Sequence, residues 1–508
     1  MKIGRVSRPG FAVLAAAALG LGLGGVGPAA SAAGNVPVSA SLARPVVAAS
    51  CSGGVCQVGV AEGATGFPIS VTSTGVSGVG GAVPKGYYVR VVAGGAQVAT
   101  GEADTHGAFN LTGALPSGQT VATIEWSQQP FGPATVTRLT IGAHDATAYL
   151  LASGGSPWSF GSNYNGGLGA DSGVSYATTP VQISVPSGTD VVGVSGNGQG
   201  GGYAVDSNGH VWAWGTGTDG ELGNGSTANA YNPVEVALPS GVTATAVAGG
   251  SENGYALDSD GHVWAWGYGA DGELGNGSTS TSATPVEVAL PAGVVATAIA
   301  GGGDGEGYAL DQNGHVWAWG VGSNGELGYG STSNSSTPVE VAFPAGVTIE
   351  AISGGAGGYA LDQNGHVWAW GYGAYGNLGD GGASNSSVPV EVALPSGVTA
   401  TAIAGGGAGG YALDQSGNVW AWGANDSGQL GNSSTSGSYT GPWGTPCDLT
   451  PVQVAMPSGV TATAIAGAAW SGYMLDSDGQ VWAWGRNNQG QLGNGSTTNS
   501  DVPVKVQQ

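Results

Sequence analysis

The chain has 508 residues, with 9 Lys and Arg against 32 Asp and Glu and a formal net charge of −23. An imbalance this acidic excludes nucleic acid and anionic membrane as partners, because both are held through Lys and Arg. The 41% hydrophobic content is enough for a sizeable core, and 101 Gly point to many tight turns.

Lys2, Arg5 and Arg8 precede an apolar run from Phe11 to Val26, and Ala30-x-Ala32 offers a cleavage point. Residues 1–32 are therefore expected to be a secretory signal peptide and the mature chain to be secreted. Cleavage would move the net charge from −23 to −26 by removing those three bases. No later stretch of about 18 apolar residues follows, so no membrane insertion is expected after cleavage. Residues 33–56 read as a linker with a local disulfide between Cys51 and Cys56, as expected in an oxidising compartment. Residues 57–135 form a small β-sandwich-like domain, with strands at 86–92, 96–101, 107–111 and 120–126 split by Gly-Gly, Asp104-Thr-His-Gly107 and Pro116-Ser-Gly. Its run from Val98 to Leu111 resembles small immunoglobulin-like or carboxypeptidase-regulatory-like sandwiches of secreted proteins.

From residue 136 onward the chain repeats. One unit carries Asp258-Ser-Asp-Gly-His-Val-Trp-Ala-Trp-Gly267 and then Tyr-Gly-Ala-Asp-Gly-Glu-Leu-Gly275-Asn-Gly277. Asp260-Gly261 signals a hairpin, read as a type I′ turn. The Gly closing each aromatic pair falls at 161, 215, 267, 320, 371, 423 and 485, a period near 52 with one enlarged unit. Four short strands per unit can be read at Pro233–Leu238, Val242–Val247, Gly254–Asp258 and His262–Gly267. Repeats of this length with four strands are propeller blades, so the fold class is all-β, a seven-bladed β-propeller over 136–508. The chain stops at Pro503-Val-Lys-Val-Gln-Gln508, while the first unit enters at Val136–Ile141 with no Pro-Val strand before it. The terminal strand is therefore expected to complete the first blade and close the ring.

The pattern Gly-Tyr-Ala-Leu-Asp-x-x-Gly-x-Val-Trp-Ala-Trp-Gly, then Gly-Glu/Gln-Leu-Gly-Asn-Gly, then Pro-Val-x-Val, resembles the repeat of the regulator of chromosome condensation family. The resemblance implies a seven-bladed propeller that acts through protein contacts. It departs from the family where a His often precedes the third strand, a position held here by Gly254, Gly307, Gly358, Gly410 and Gly472.

Trp212/Trp214 and the five later pairs are expected to pack between blades, since a core requirement recurs in every blade as they do. His210, His262, His315 and His366 share one repeat position, which spreads them around the ring and argues against a metal site. Asp258-x-Asp260-Gly261 lacks the Gly and Glu that a calcium loop needs at its sixth and twelfth positions. Glu221, Glu273 and Glu326 repeat in equal environments, unlike the unequal carboxylate pair of a glycosidase. No catalytic constellation and no cofactor are expected, and the chain is read as a non-enzyme.

Specific recognition should then lie where the blades differ. The enlarged unit carries the insertion Ser433–Cys447 with Tyr439 and Trp443, and Glu252, Asp304, Glu306, Tyr375 and Trp470 are smaller departures. The insertion is either an anchor for a partner or a plug over the propeller mouth. The expected function is a secreted binding or scaffold protein, a monomer, whose loops hold an unknown protein or cell-wall ligand. The alternative is a polysaccharide-binding or polysaccharide-active module.

Overall fold

The computed structural model describes the strands between Val36 and Ile141 as backbone, and residues 147–507 in full apart from 153, 171 and 172. The expected signal peptide lies outside the described residues. Two compact units divide the chain, 1–135 and 136–508. None of the described helices is long and apolar enough to cross a membrane.

The first unit holds two antiparallel sheets. One orders Val36–Ser41, Gly66–Thr72, Gly75–Gly78 and Phe109–Thr112; the other orders Val55–Val60, Val47–Ser52, Val121–Ser127, Tyr88–Ala93 and Ala96–Glu102. Strands thus run through the stretch read as linker, where Val, Ala and Ser suit extended backbone. The hairpin register sets Cys51 opposite Cys56, whose side chains are outside the described residues.

The second unit is a propeller of seven antiparallel sheets. In the third blade the strands run Ala244–Gly249, Asn253–Asp258, Val263–Gly267 and Ser282–Glu287, from the innermost outward. Innermost strands of successive blades lie side by side, and Ala462–Gly467 of the seventh lies against Val136–Ile141 of the first, which closes the ring. A channel of about 240 Å³ runs among them, lined by Val247, Ile299, Ile352, Ile403 and Ile465 with small residues between.

Closure is not made by an exchanged strand. The first blade is completed by its own Tyr176–Gln182, and Ser500–Lys505 pairs with Val481–Gly485 in the seventh. The sequence reading missed that Pro180-Val-Gln is the first blade's outer strand, so each blade is contiguous in the chain.

In the six later blades the turn after the second strand is also simpler than a type I′ hairpin. Only Gly261 has a positive φ there, +83°, and its N–H donates to the Asp258 carbonyl. This is a type I turn followed by a left-handed glycine. The Asp258 carboxylate makes two φ > 0 residues unnecessary, because one oxygen accepts the N–H groups of Asp260 and His262, both at 2.9 Å.

Between blades the second Trp of each pair is the fastener. Trp266 is fully buried and donates its indole N–H to the Glu221 carbonyl of the preceding blade. Tyr203 of that blade donates to the same carbonyl at 2.7 Å. The motif recurs with Trp319, Trp370, Trp422 and Trp484 on Glu273, Glu326, Asn377 and Gln429. Gly254 lies directly across the hairpin from Trp266, and a β-carbon there would collide with the indole. Glycine at this repeat position is therefore a packing demand of this chain's Trp.

The seam between blades seven and one lacks this fastener. Tyr473 still donates to the Gln491 carbonyl, but Phe160 stands where the other blades place the donating Trp. Its cross-strand partner is Ala148 rather than Gly. Phe160, Tyr473, Leu492 and Val506 join one apolar cluster, so this seam is held by burial.

Candidate functional site at the loop end

Strand order gives the propeller two unlike ends. Connections between innermost and second strands, and between third and fourth, share one end; the Asp-Gly turns and the links between blades share the other.

The turn end is alike in blades two to seven, where an Asp carboxylate accepts the indole N–H of the first Trp. The second Asp258 oxygen accepts the Trp264 indole N–H at 3.0 Å, and His262 Nδ1 lies 3.4 Å from it. Burial alone would raise the Asp258 carboxyl, but hydrogen bonds from Trp264 and from the backbone of His262 and Asp260 outweigh it and hold it below its ordinary value. Asp206, Asp311 and Asp362 do the same beside His210, His315 and His366. Each His faces its own blade's Asp. Among the described residues no cluster of His, Cys, Asp or Glu is placed to hold a metal.

At the loop end the repeated Glu residues serve the fold. Glu221, Glu273 and Glu326 are buried, and each accepts the N–H two residues before it at 2.8 Å. Burial pushes the Glu221 and Glu273 carboxyls up, against their backbone hydrogen bonds.

Every sequence-predicted departure from the repeat falls at this same end. Glu252 is half-buried and accepts the Gln199 amide of the neighbouring blade at 2.6 Å. Asp304 is exposed. Glu306 is fully buried, with Oε1 lacking a hydrogen-bond partner. Its side chain folds over Gly302, and burial followed by the charges of Asp304 and Glu326 pushes it well up. Trp470 is half-buried, and its carbonyl accepts the Arg486 N–H at 2.9 Å.

The insertion brings two predicted residues together. Tyr439–Thr440 pairs with Pro446–Gln453 as a fifth strand on the sixth blade, and Asn425 binds the Ser434 and Ser436 carbonyls. The loop is thus fastened at its base. At its tip the turn Pro442–Gly444 holds Trp443 at φ +55° and 93% exposed. Positive φ is costly for a bulky side chain. Trp443 stands 6.4 Å from Tyr375 at an interplanar angle of 38°, and Tyr375 lies edge-on to Tyr372 at 5.9 Å. So exposed a ring is no plug. Tyr439 is exposed beside Cys447 in the strand, apart from this ring group. Tyr372 escaped the sequence reading, although its position varies among blades as Thr216, Tyr268, Val321, Ala424 and Arg486, and that variation was the available signal.

The geometry is matched by relatives. The model for the regulator of chromosome condensation repeat matches residues 208–257, 260–305, 313–360, 364–413, 416–473 and 478–508, more than half of the chain. The chain belongs to this family. Its first blade is outside those matches, and that blade is where Ala152 and Phe160 replace the repeat's Asp and Trp. The ultraviolet-B receptor UVR8 of Arabidopsis thaliana is 30% identical over 297 residues, covering 58% of this chain and 65% of the receptor. The human E3 ubiquitin-protein ligase HERC2 is 32% identical over 208 residues, covering 39% of this chain and 4% of the ligase. The chain thus spans less than two thirds of the length of either. Among solved structures, Prp20p of Saccharomyces cerevisiae superposes with a TM-score of 0.61 at 20% identity, covering 70% of this chain and 87% of that one. Human WBSCR16 gives 0.60 at 20% identity, covering 69% and 93%. These two likenesses concern the fold.

Proposed function

We propose that this chain is an exported, non-enzymatic binding protein that holds another protein on the loop end of its propeller, with Trp443 and Tyr375 as anchors. One observation carries the reading: a 93% exposed Trp, fixed at positive φ beside a second aromatic, on the end where the blades differ. Exposed, rigidly held aromatics are the residues on which binding energy concentrates. The repeated carboxylates and imidazoles are engaged in holding loops and turns, which supports a non-enzymatic reading. Similarity to proteins described as a receptor, and as a yeast protein with binding properties to Gsp1p and histones, favours protein contacts as the mode of action. The Trp443–Tyr375 pair also suits a sugar ring, which keeps a cell-wall polysaccharide as the second reading. Affinity capture from culture supernatant with the mature chain and with Trp443→Ala tests the first reading. A defined protein lost with Trp443→Ala is the expected result. Capture unaffected by the substitution, or turnover of a glycan panel, would overturn it.

A further inference from the structure

The loop end combines exposed aromatic faces with unneutralised carboxylates. Asp304 and Asp426 are exposed, and burial, with a smaller contribution from their charge, pushes the Tyr372 and Tyr375 hydroxyls up. Among the described residues every ion pair is a His–Asp pair of the opposite end, so neither carboxylate is matched by a base. From Leu139 onward the only basic side chains are Arg486 and Lys505. Lys505 is occupied on the outer strand, 5.0 Å over the Trp482 ring.

Resting on the reading of this end as the binding end, we propose that the wedge between Trp443 and Tyr375, backed by Tyr372 and rimmed by Asp304 and Asp426, receives an arginine or lysine side chain from an extended basic segment of the partner protein. The aromatic face is the negative end of the ring quadrupole, and attraction for a cation is strongest at Trp. Two rings hold a planar group between them at roughly 7 Å, twice a van der Waals contact, so the observed 6.4 Å must widen slightly as the exposed indole moves. A guanidinium is flat, weakly hydrated and able to bond a carboxylate while stacked, so arginine fits better than lysine. The net charge of −23 supplies the same preference at long range. The positive φ of Trp443 is then a constraint that keeps the indole outward and ready.

Isothermal titration calorimetry of the full mature chain with an octa-arginine peptide tests this, using octa-glutamate and cellohexaose as controls. Octa-arginine should bind, and binding should weaken severalfold between about 50 and about 500 mM salt. Trp443→Ala should weaken it about tenfold, Trp443→Phe should retain much of it, and Asp304→Asn should cost about threefold. Tyr375→Ala, read beside its circular dichroism, is the second variant. Asp260→Asn, exposed at the opposite end, should change nothing. Equal binding of octa-arginine to the wild type and Trp443→Ala, or preference for octa-glutamate or cellohexaose, would overturn the inference. If a captured protein still depends on Trp443 while octa-arginine does not, the cation inference falls and the binding end stands.

Discussion

Trp266 of the third blade donates its indole N–H to the carbonyl of Glu221 in the second, at 2.8 Å, and so ties two separate sheets at a fully buried point. Because Tyr203 shares that carbonyl, three residues from two blades meet at one oxygen. Trp266→Phe removes the donor and keeps most of the bulk. It should cost about 1–2 kcal/mol, whereas Trp266→Ala, which also opens a cavity, should cost about 3–5 kcal/mol. Chemical denaturation of the two variants checks the ordering, and a Trp266→Phe variant as stable as the wild type would show that the hydrogen bond contributes nothing.

Phe160 and Ala148 are the pair that breaks this rule at the closing seam. Phe160→Trp alone should destabilise, because the larger ring meets the Ala148 β-carbon. Phe160→Trp with Ala148→Gly should recover the loss, since it recreates the Gly254–Trp266 arrangement. A coupling of about 1 kcal/mol or more in the double-mutant cycle is expected. Simple additivity would mean the seam is built differently from the other six.

These two pairs show what the sequence could and could not disclose. Period, blade number and the packing of the Trp pairs follow from residues that recur, so they were legible; that the second Trp of each pair is the fully buried one was not. The blade boundary was not, because a repeat read along the chain has no marked start. Pro180-Val-Gln was overlooked, and Pro503-Val-Lys was assigned to the first blade instead of the seventh. The type I′ turn was inferred from Asp-Gly alone, while the carboxylate of Asp258, two residues earlier, decides the geometry. At the site, Trp443 and Tyr375 were each legible as departures from the repeat. Their contact was not, since 68 residues separate them and only the ring brings blades five and six together. Glu306 looked like a surface carboxylate because burial leaves no mark on a single residue.

Stability should depend on pH in two opposed ways. Burial raises Glu306 well above 4.5, so the native state keeps a proton that the unfolded chain loses. Stability should therefore increase as pH falls from neutral toward 4.5. Asp206, Asp258, Asp311 and Asp362 are held below 3.8, and what they contribute is present above that pH and lost as pH falls through their folded values. A maximum at roughly pH 4–4.5 is expected in thermal melts. Glu306→Gln should raise stability at pH 7 by about 1 kcal/mol and flatten the rise on acidification. A less stable Glu306→Gln at pH 7 would contradict the assignment.

Cys447 is fully buried, its thiol donates to the Thr445 carbonyl at 3.2 Å, and burial pushes its pKa up. It should react slowly with thiol reagents in the native protein. Titration of the denatured, unreduced chain should find one group if Cys51 and Cys56 are bonded. Three would remove that disulfide.

The most direct measurement of the central claim is the affinity of a partner captured from culture supernatant for the wild type and for Trp443→Ala, with both melting temperatures recorded. The indole is 93% exposed, so its removal should leave the melting temperature nearly unchanged while binding weakens by about 2 kcal/mol or more. A variant that binds with wild-type affinity would contradict the account.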